Sequence, residues 1–209
     1  MLTLADLGFT GVGVDLSAEA VNRMNALVRP KSLRVLRADI LQVDMSEKFD
    51  WVFAFEVLEH MKDDELAIRR VSDLLKPNGR LVLSVPAHMR YWTRHDEAAG
   101  HFRRYERADL IQKLSRNGFR VELAWCYGFP LSNLLGHFRS FTAPELRSLD
   151  MREKTIISGV RRPIYERLGR FLSCVVALVL PVQLWLQNWF LISDIGDGYV
   201  VAATKNSSK

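Results

Sequence analysis

The chain has 209 residues, a formal net charge of +5, and apolar and charged fractions of 48% and 25%. Those values exclude a disordered chain and suit one α/β domain with a real core and a smaller appendage. The two cysteines, Cys126 and Cys174, have no paired spacing. A disulfide framework or a zinc site is therefore not expected, and a reducing cytoplasm is the simplest setting.

In chain order, residues 2 to 7 read as the end of a helix with Gly8 at its stop. MLTLADLGFT lacks the basic flank and small-residue cleavage site of a signal peptide. Gly11-Val12-Gly13-Val14-Asp15 reads as a buried strand ending in an acid. Ser17 follows as cap of a helix over Ala18 to Val28. The glycines imitate the start of a dinucleotide fingerprint, but they lie within the strand rather than between strand and helix, so close packing is the better reading. Leu33 to Asp39 reads as another strand ending in an acid, so two carboxylates reach the same sheet edge.

The central unit is FDWVFAFEVLEHMKDDELAIRRVSDLLKPNGRLVLSVP, residues 49–86. Trp51 to Phe55 is apolar at every position, as a strand buried on both faces requires. Leu66, Ile68, Val71, Leu74 and Leu75 have helical spacing, acids stand at the start, and Lys76-Pro77-Asn78-Gly79 supplies stop signals. Arg80 to Val85 is a second apolar strand, which completes a right-handed βαβ unit. Ligands bind beyond the carboxyl ends of such strands, so Glu56 to His60 and the residues after Pro86 fall at the rim of a site. Asp63-Asp64-Glu65 reads as helix N-terminal charge, and no metal site is expected. Residues 87 to 104 read as irregular, Arg107 to Arg116 as a helix, Phe119 to Tyr127 as a strand, and Gly198 to Lys205 as the last strand.

Together the stretches VGVDLS (12–17), RADI (37–40), FDWVFAFEVLEH (49–60), LKPNGRLVLSVP (75–86) and GHFRRYERADLIQKLSRNGFRV (100–121) resemble the class I S-adenosylmethionine-dependent methyltransferases, especially the small-molecule group that includes quinone-pathway enzymes. The resemblance covers most of residues 1–128. It implies an α/β, doubly wound, mostly parallel sheet whose last strand is antiparallel. The family opens with a strand and a glycine-rich loop, and this chain starts after that loop. The expected fold therefore lacks its first strand, and an upstream start is the favoured explanation. The cofactor domain is expected over 1–129 and 197–209, with a helical apolar insert over 130–196.

The resemblance also implies roles for particular residues. Asp15, with Leu16 beside it, stands where the family's acid binds the ribose hydroxyls of S-adenosylmethionine; an Asx turn or helix cap is the competing reading. Asp39 matches the acid that receives the adenine amino group, with Ile40 beside the ring. Phe55 and Glu56 pass the methionine portion of the cofactor, chiefly through backbone. His60 lies near the active centre, helix capping being the alternative. His101 stands in the segment of substrate contacts, where an imidazole can take a proton from a hydroxyl nucleophile. Arg103 and Arg104, with Tyr105 next to them, are candidates to hold the substrate, although paired arginines before a helix are commonly solvated.

Phe171 to Ile192 has no charged residue, and residues 139–170 hold eight basic and four acidic ones. A single membrane crossing would strand the last β-strand on the wrong side. A kinked helix pair that packs on the domain, joins a second copy or dips into the inner face of a membrane is the expectation. Nucleic acid is not an expected partner. The resulting reading is methyl transfer from S-adenosylmethionine to a small, lipophilic acceptor. A non-catalytic chain of the same fold without its glycine loop is the alternative.

Overall fold

The computed structural model describes residues 4, 6–27, 33–133, 153–154 and 181–207. The elements run β1 (Gly11–Asp15), α1 (Ala18–Leu27), β2 (Leu33–Arg37), β3 (Phe49–Phe55), a 3-10 turn (Leu58–His60), α2 (Asp64–Leu74) and β4 (Leu75–Pro86). A second 3-10 turn (Met89–Tyr91), α3 (Arg94–Ala99), α4 (Arg107–Arg116), β5 (Phe119–Tyr127), a helix α5 over 181–188 and β6 (Gly198–Lys205) follow among the described residues. β1 pairs with β2 in parallel, Gly11 opposite Leu33 and Asp15 opposite Arg37. The other strands lie in the order β3-β4-β6-β5, with β3 parallel to β4 and β6 antiparallel to both of its neighbours. The sheet is thus mixed and mostly parallel, and the antiparallel last strand is where the sequence puts it.

Burial explains why β4 and β6 are central. Leu81, Leu83 and Val85 of β4 and Tyr199, Val201 and Ala203 of β6 are almost wholly enclosed. Helix α2 adds Ala67, Ile68, Val71 and Leu74 from one face, and α4 adds Leu110 and Leu114. Each large apolar side chain enclosed this way contributes about 1.5–3 kcal/mol. Asp63 caps α2 by accepting the Leu66 N–H at 2.9 Å, so the acids after Met61 do serve the helix N-terminus.

The sequence expectations need correction in four places. β3 is not buried on both faces: it is the edge strand of its group of four, and of Trp51 to Phe55 only Ala54 is buried. β2 stops at Arg37, because Asp39 heads a turn: its carbonyl accepts from Gln42 and Val43 and its Oδ1 from Leu41. Residues 76–79 are a loop inside β4 rather than a helix end. Leu75 already faces Phe49, the register shifts before Arg80 faces Trp51, and Asn78 takes φ 60°. Gly79 is obligatory there, since a Cβ would sit 2.9 Å from the Lys76 carbonyl oxygen. Residues 87–104, read as irregular, contain α3, which is fixed by a Thr93/Asp96 capping box and ended by Gly100 at φ 81°.

Among the described residues no hydrogen-bonded ladder joins β1 to β3, so the strands form a pair and a separate group of four. Side chains link the two. Phe9 packs edge-on against Trp51 and Phe53, and Arg70 of α2 donates to the carbonyls of Ile40 and Val43. Of the expected insert, α5 is described, and 134–152 and 155–180 lie outside the described residues.

Candidate functional site

Each parallel pair brings its carboxyl ends to one edge: Asp15 and Asp39 follow β1 and β2, while Glu56 and the residues after Pro86 follow β3 and β4. Asp15 ends β1 with its carboxylate exposed, and one oxygen accepts the Ser17 N–H at 2.7 Å. Asp39 follows β2 in the turn just described. Both acids therefore make the local turn hydrogen bond of the competing reading. A carboxylate still has acceptor sites for further donors, so the turn orients it without using it up. Leu16 and Ile40 meet the rest of the protein through their carbonyls, which accept from Arg37 and Arg70.

At the end of β3, Phe55 is 54% exposed and Glu56 takes the left-handed φ of 53°. That conformation costs a non-glycine residue about 1–3 kcal/mol, and such strain gathers at functional edges. The surroundings hold it in place. The Glu56 N–H donates to the Ser84 carbonyl, while Ser84 Oγ and the Tyr127 hydroxyl donate to Glu56 Oε1 at 2.7 and 3.3 Å. Burial, with the Glu56 carboxylate second, pushes the Tyr127 phenol above its ordinary range.

Beyond Glu56 the chain turns inward. Glu59 is fully enclosed, and among the described residues neither of its carboxylate oxygens meets a hydrogen-bond donor. Burial, reinforced by the Glu56 carboxylate, holds its carboxyl well above the usual carboxylate range. His60 lies beside it with Nε2 4.0 Å from Glu59 Oε1, and its Nδ1 bonds the Gly100 carbonyl at 3.3 Å. Burial and then the His101 ring push the His60 imidazole down to about 4. The two histidine rings meet edge-on with centroids 4.7 Å apart.

His101 Nδ1 bonds Asp96 Oδ1 at 3.0 Å. Asp96 is enclosed and also accepts from the Thr93 N–H and hydroxyl and from Nε and Nη2 along one edge of the Arg104 guanidinium. Burial alone would raise this carboxyl. The His101 and Arg104 hydrogen bonds and the Arg104 charge outweigh burial and hold it well below the usual range. The result is a fixed carboxylate–imidazole pair, with Nδ1 turned to the acid and Nε2 left as the basic nitrogen. Such an imidazole can receive a proton from an acceptor hydroxyl.

The three substrate candidates are placed otherwise than expected. Arg104 spans Asp96 and Asp197 (Nη1 to Asp197 Oδ1, 2.8 Å) and donates to the Ala87 carbonyl, so it is a strut between segments. Tyr105 is 1% exposed and its hydroxyl donates to Asp64, which makes it a core residue. Arg103 pairs with Asp64 at 2.8 Å and donates to the Lys62 carbonyl. Sequence reading overlooked Asp96, Glu59, Ser84 and Tyr127. Only Asp96 had a legible signal, the Thr93-x-x-Asp96 capping pattern followed by Gly100. A second cluster, with His88 and Tyr199 buried and Glu106 and Asp194 exposed, ties the loop before β6 to β4: His88 bonds Glu106 at 2.8 Å and lies 3.3 Å from the Tyr199 hydroxyl, which donates to Asp194.

The strand order, the antiparallel last strand and the acids at the edge define the fold of the class I S-adenosylmethionine-dependent methyltransferases. A family model described as a methyltransferase domain matches residues 1–124, and the chain belongs to that family. A ubiquinone biosynthesis O-methyltransferase from Chelativorans sp. (strain BNC1) is 36% identical over 85 residues, 39% of this chain and 33% of that protein. The (S)-coclaurine N-methyltransferase of Papaver somniferum is 37% identical over 57 residues, 27% of this chain and 16% of that enzyme. The chain thus spans a third or less of the length of these curated relatives. A putative methyltransferase structure from Bacillus halodurans C-125 superposes with a TM-score of 0.57 at 14% identity, covering 94% of this chain and 83% of the other. That likeness concerns the fold.

Proposed function

We propose that the protein transfers a methyl group from S-adenosylmethionine to a hydroxyl of a small acceptor. The observation that carries this reading is the Asp96–His101 pair in a chain of methyltransferase family that also carries acids after β1 and β2. S-adenosylmethionine supplies an electrophilic methyl on sulfur, and the protein's part is chiefly positioning. Asp15 accepts from the ribose hydroxyls and Asp39 from the adenine amino group, while the backbone at Phe55 and Glu56 passes the methionine portion. The acceptor oxygen gains the methyl and loses its proton to His101 Nε2, with Asp96 holding the imidazolium in place.

A lipophilic acceptor at a membrane surface accords with α5. Gln183 donates to the Phe129 carbonyl and Gln187 accepts the Gly128 N–H, which fastens one side of the helix to the domain. Trp185 and Trp189 pack edge-on and stay 59% and 72% exposed, with Ile192 at 81%. No helix among the described residues is long and apolar enough to cross a membrane. Peripheral contact with the inner face of a membrane is the form we favour, because the exposed Trp185 and Trp189 suit a membrane interface. The second reading, a non-catalytic chain of the same fold, draws on the separation of β1–β2 from the remaining strands.

The test is binding and turnover with the full chain. Calorimetric binding of S-adenosylhomocysteine, with methyl incorporation into catechol-type acceptors that His101→Ala abolishes without loss of cofactor affinity, is the expected result. Cofactor binding with no incorporation into any hydroxyl acceptor selects the second reading.

A further inference from the structure

We propose that His88, Cys126 and Asp194 bind one zinc ion at the carboxyl ends of β4 and β5, beside the loop that runs from α5 into β6. None of the three takes part in the methyl transfer proposed above. One ligand atom from each side chain lies within 4.8 Å of the other two, close enough to converge on a single ion. An imidazole nitrogen, a thiolate sulfur and a carboxylate oxygen suit tetrahedral zinc and leave the fourth position for water. His88 and Cys126 are buried and Asp194 is exposed, so solvent and ion reach the site from the Asp194 side.

The observation that points to a cation is the His88 ring. It is 3% exposed, and its Nδ1 meets the Glu106 carboxylate at 2.8 Å, which places the ring hydrogen on Nδ1. Nε2 therefore turns its lone pair to the Tyr199 oxygen at 3.3 Å and to Asp194 Oδ1 at 3.5 Å. The one hydrogen of the Tyr199 hydroxyl goes to Asp194 Oδ1 at 2.5 Å, so among the described residues three acceptors face one another around it. A buried acceptor without a donor is costly, and a cation held at Nε2 turns that opposition into attraction.

The surroundings have the form of a metal centre. A carboxylate on the far ring nitrogen is a common outer partner of a metal-bound histidine, and Glu106 supplies it. The other Glu106 oxygen accepts the Met89 N–H at 3.2 Å, and the His88 N–H donates to the Tyr105 carbonyl, which together hold His88 at a left-handed φ of 58°. On the sulfur side the Gly196 N–H donates to Cys126 Sγ at 3.0 Å. A Cβ at Gly196 would sit 2.9 Å from that sulfur, so glycine is what lets the amide come so near. Burial pushes the Cys126 thiol up; zinc displaces its proton to solvent, and the thiolate becomes the ligand. Arg107 donates to Asp194 Oδ1 at 3.2 Å, and a carboxylate has acceptor sites enough for that bond and an ion together. The thiolate and the Asp194 and Glu106 carboxylates then balance zinc and the Arg107 guanidinium. Since the ligands come from three segments, the ion staples the loop that follows α5 to β4 and β5.

The test adds cobalt(II) chloride to the full chain after treatment with a chelator and removal of the chelator, and follows the near-ultraviolet charge-transfer band of a thiolate–cobalt bond. The expected result is one equivalent per chain with that band, displacement by zinc chloride, and a higher melting temperature with zinc. Cys126→Ser should abolish the band, and Cys174→Ser should keep it. Asp194→Asn should weaken binding at least about tenfold and Glu106→Gln by about 10–100-fold, the usual effect of removing an outer hydrogen-bond partner. Both of these residues are exposed, so the proposal stays open to refutation even where Cys126→Ser does not fold. Binding needs no cofactor, so the outcome is independent of whether methyl transfer is found. Absence of stoichiometric binding by the unaltered chain overturns the proposal. Bound cobalt without the thiolate band, a band that survives Cys126→Ser or is lost in Cys174→Ser, or affinity unchanged by Asp194→Asn also overturns it.

Discussion

Removal of the Asp96 carboxylate tests the centre of the site most directly. Its two oxygens hold Thr93, His101 and Arg104 from an enclosed position. Asp96→Ala leaves Arg104 with Asp197 alone among its charged partners, and it removes the capping box of α3. Breaking a buried charged pair by deleting one member costs about 3–5 kcal/mol. For a chain of this length each kcal/mol corresponds to about 2–4 °C, so the melting temperature should fall by about 6–20 °C. Thermal unfolding followed by circular dichroism reads the change. The sign with pH is fixed as well. The folded carboxyl lies below its unfolded value, so its contribution is fully present above about pH 4, the unfolded range. It is lost as the pH falls through the folded value. Asp96→Asn should therefore flatten the acid limb of stability. A melting temperature within about 2 °C of the parent for Asp96→Ala would show that Asp96 bears none of this load.

Asp15→Ala should weaken S-adenosylhomocysteine binding by about 1–3 kcal/mol by calorimetry, the cost of removing one partner of a charged hydrogen bond, and unchanged affinity would remove Asp15 from the site. Asp64 supplies a second acid-labile element. Burial raises its carboxyl, but the hydrogen bonds from Lys113 and Tyr105 and the Arg103 charge bring it below the ordinary value. Its stabilisation is therefore present above the unfolded pKa and disappears at lower pH, and Lys113→Met should reduce that acid sensitivity in pH-jump unfolding. Trp185→Ala combined with Trp189→Ala should abolish flotation with anionic vesicles at low salt, and added salt should weaken flotation of the unaltered chain. Flotation unchanged by the double substitution would show that this face does not meet the bilayer.

Much of the fold was legible because burial leaves a plain mark. Leu81 to Val85 is an apolar run, broken only by Ser84, at the centre of the group of four, and α2 shows one apolar face bounded by capping acids, whereas the equally apolar Trp51 to Phe55 forms an edge strand. The loop at 76–79 was misread because Pro77-Asn78-Gly79 is the same chemistry whether it ends a helix or bulges a strand. Only the pairing of Leu75 with Phe49 distinguishes the two. The acids at the strand ends were legible from position. The roles of Arg104 and Tyr105 were not, since their partners Asp197 and Asp64 lie 93 and 41 residues away. Glu59 was invisible for a related reason: a carboxylate in a polar stretch gives no sign that it will be sealed inside.

The separation of β1–β2 from the other strands has a consequence for how the protein would respond to its ligand. Two five-residue strands that, among the described residues, pair with each other alone form a weak unit, and such units open locally well before the body of a protein unfolds. Asp15 and Asp39 both belong to that unit, whereas Glu56 and His101 belong to the firm one. A ligand that grips both acids therefore closes a door as it binds, and its observed affinity is the intrinsic affinity reduced by the fraction of molecules in which the door stands open. Amide protons of Gly11 to Asp15 would then exchange slowly only in the liganded state, while those of β4 and β6 would be slow throughout.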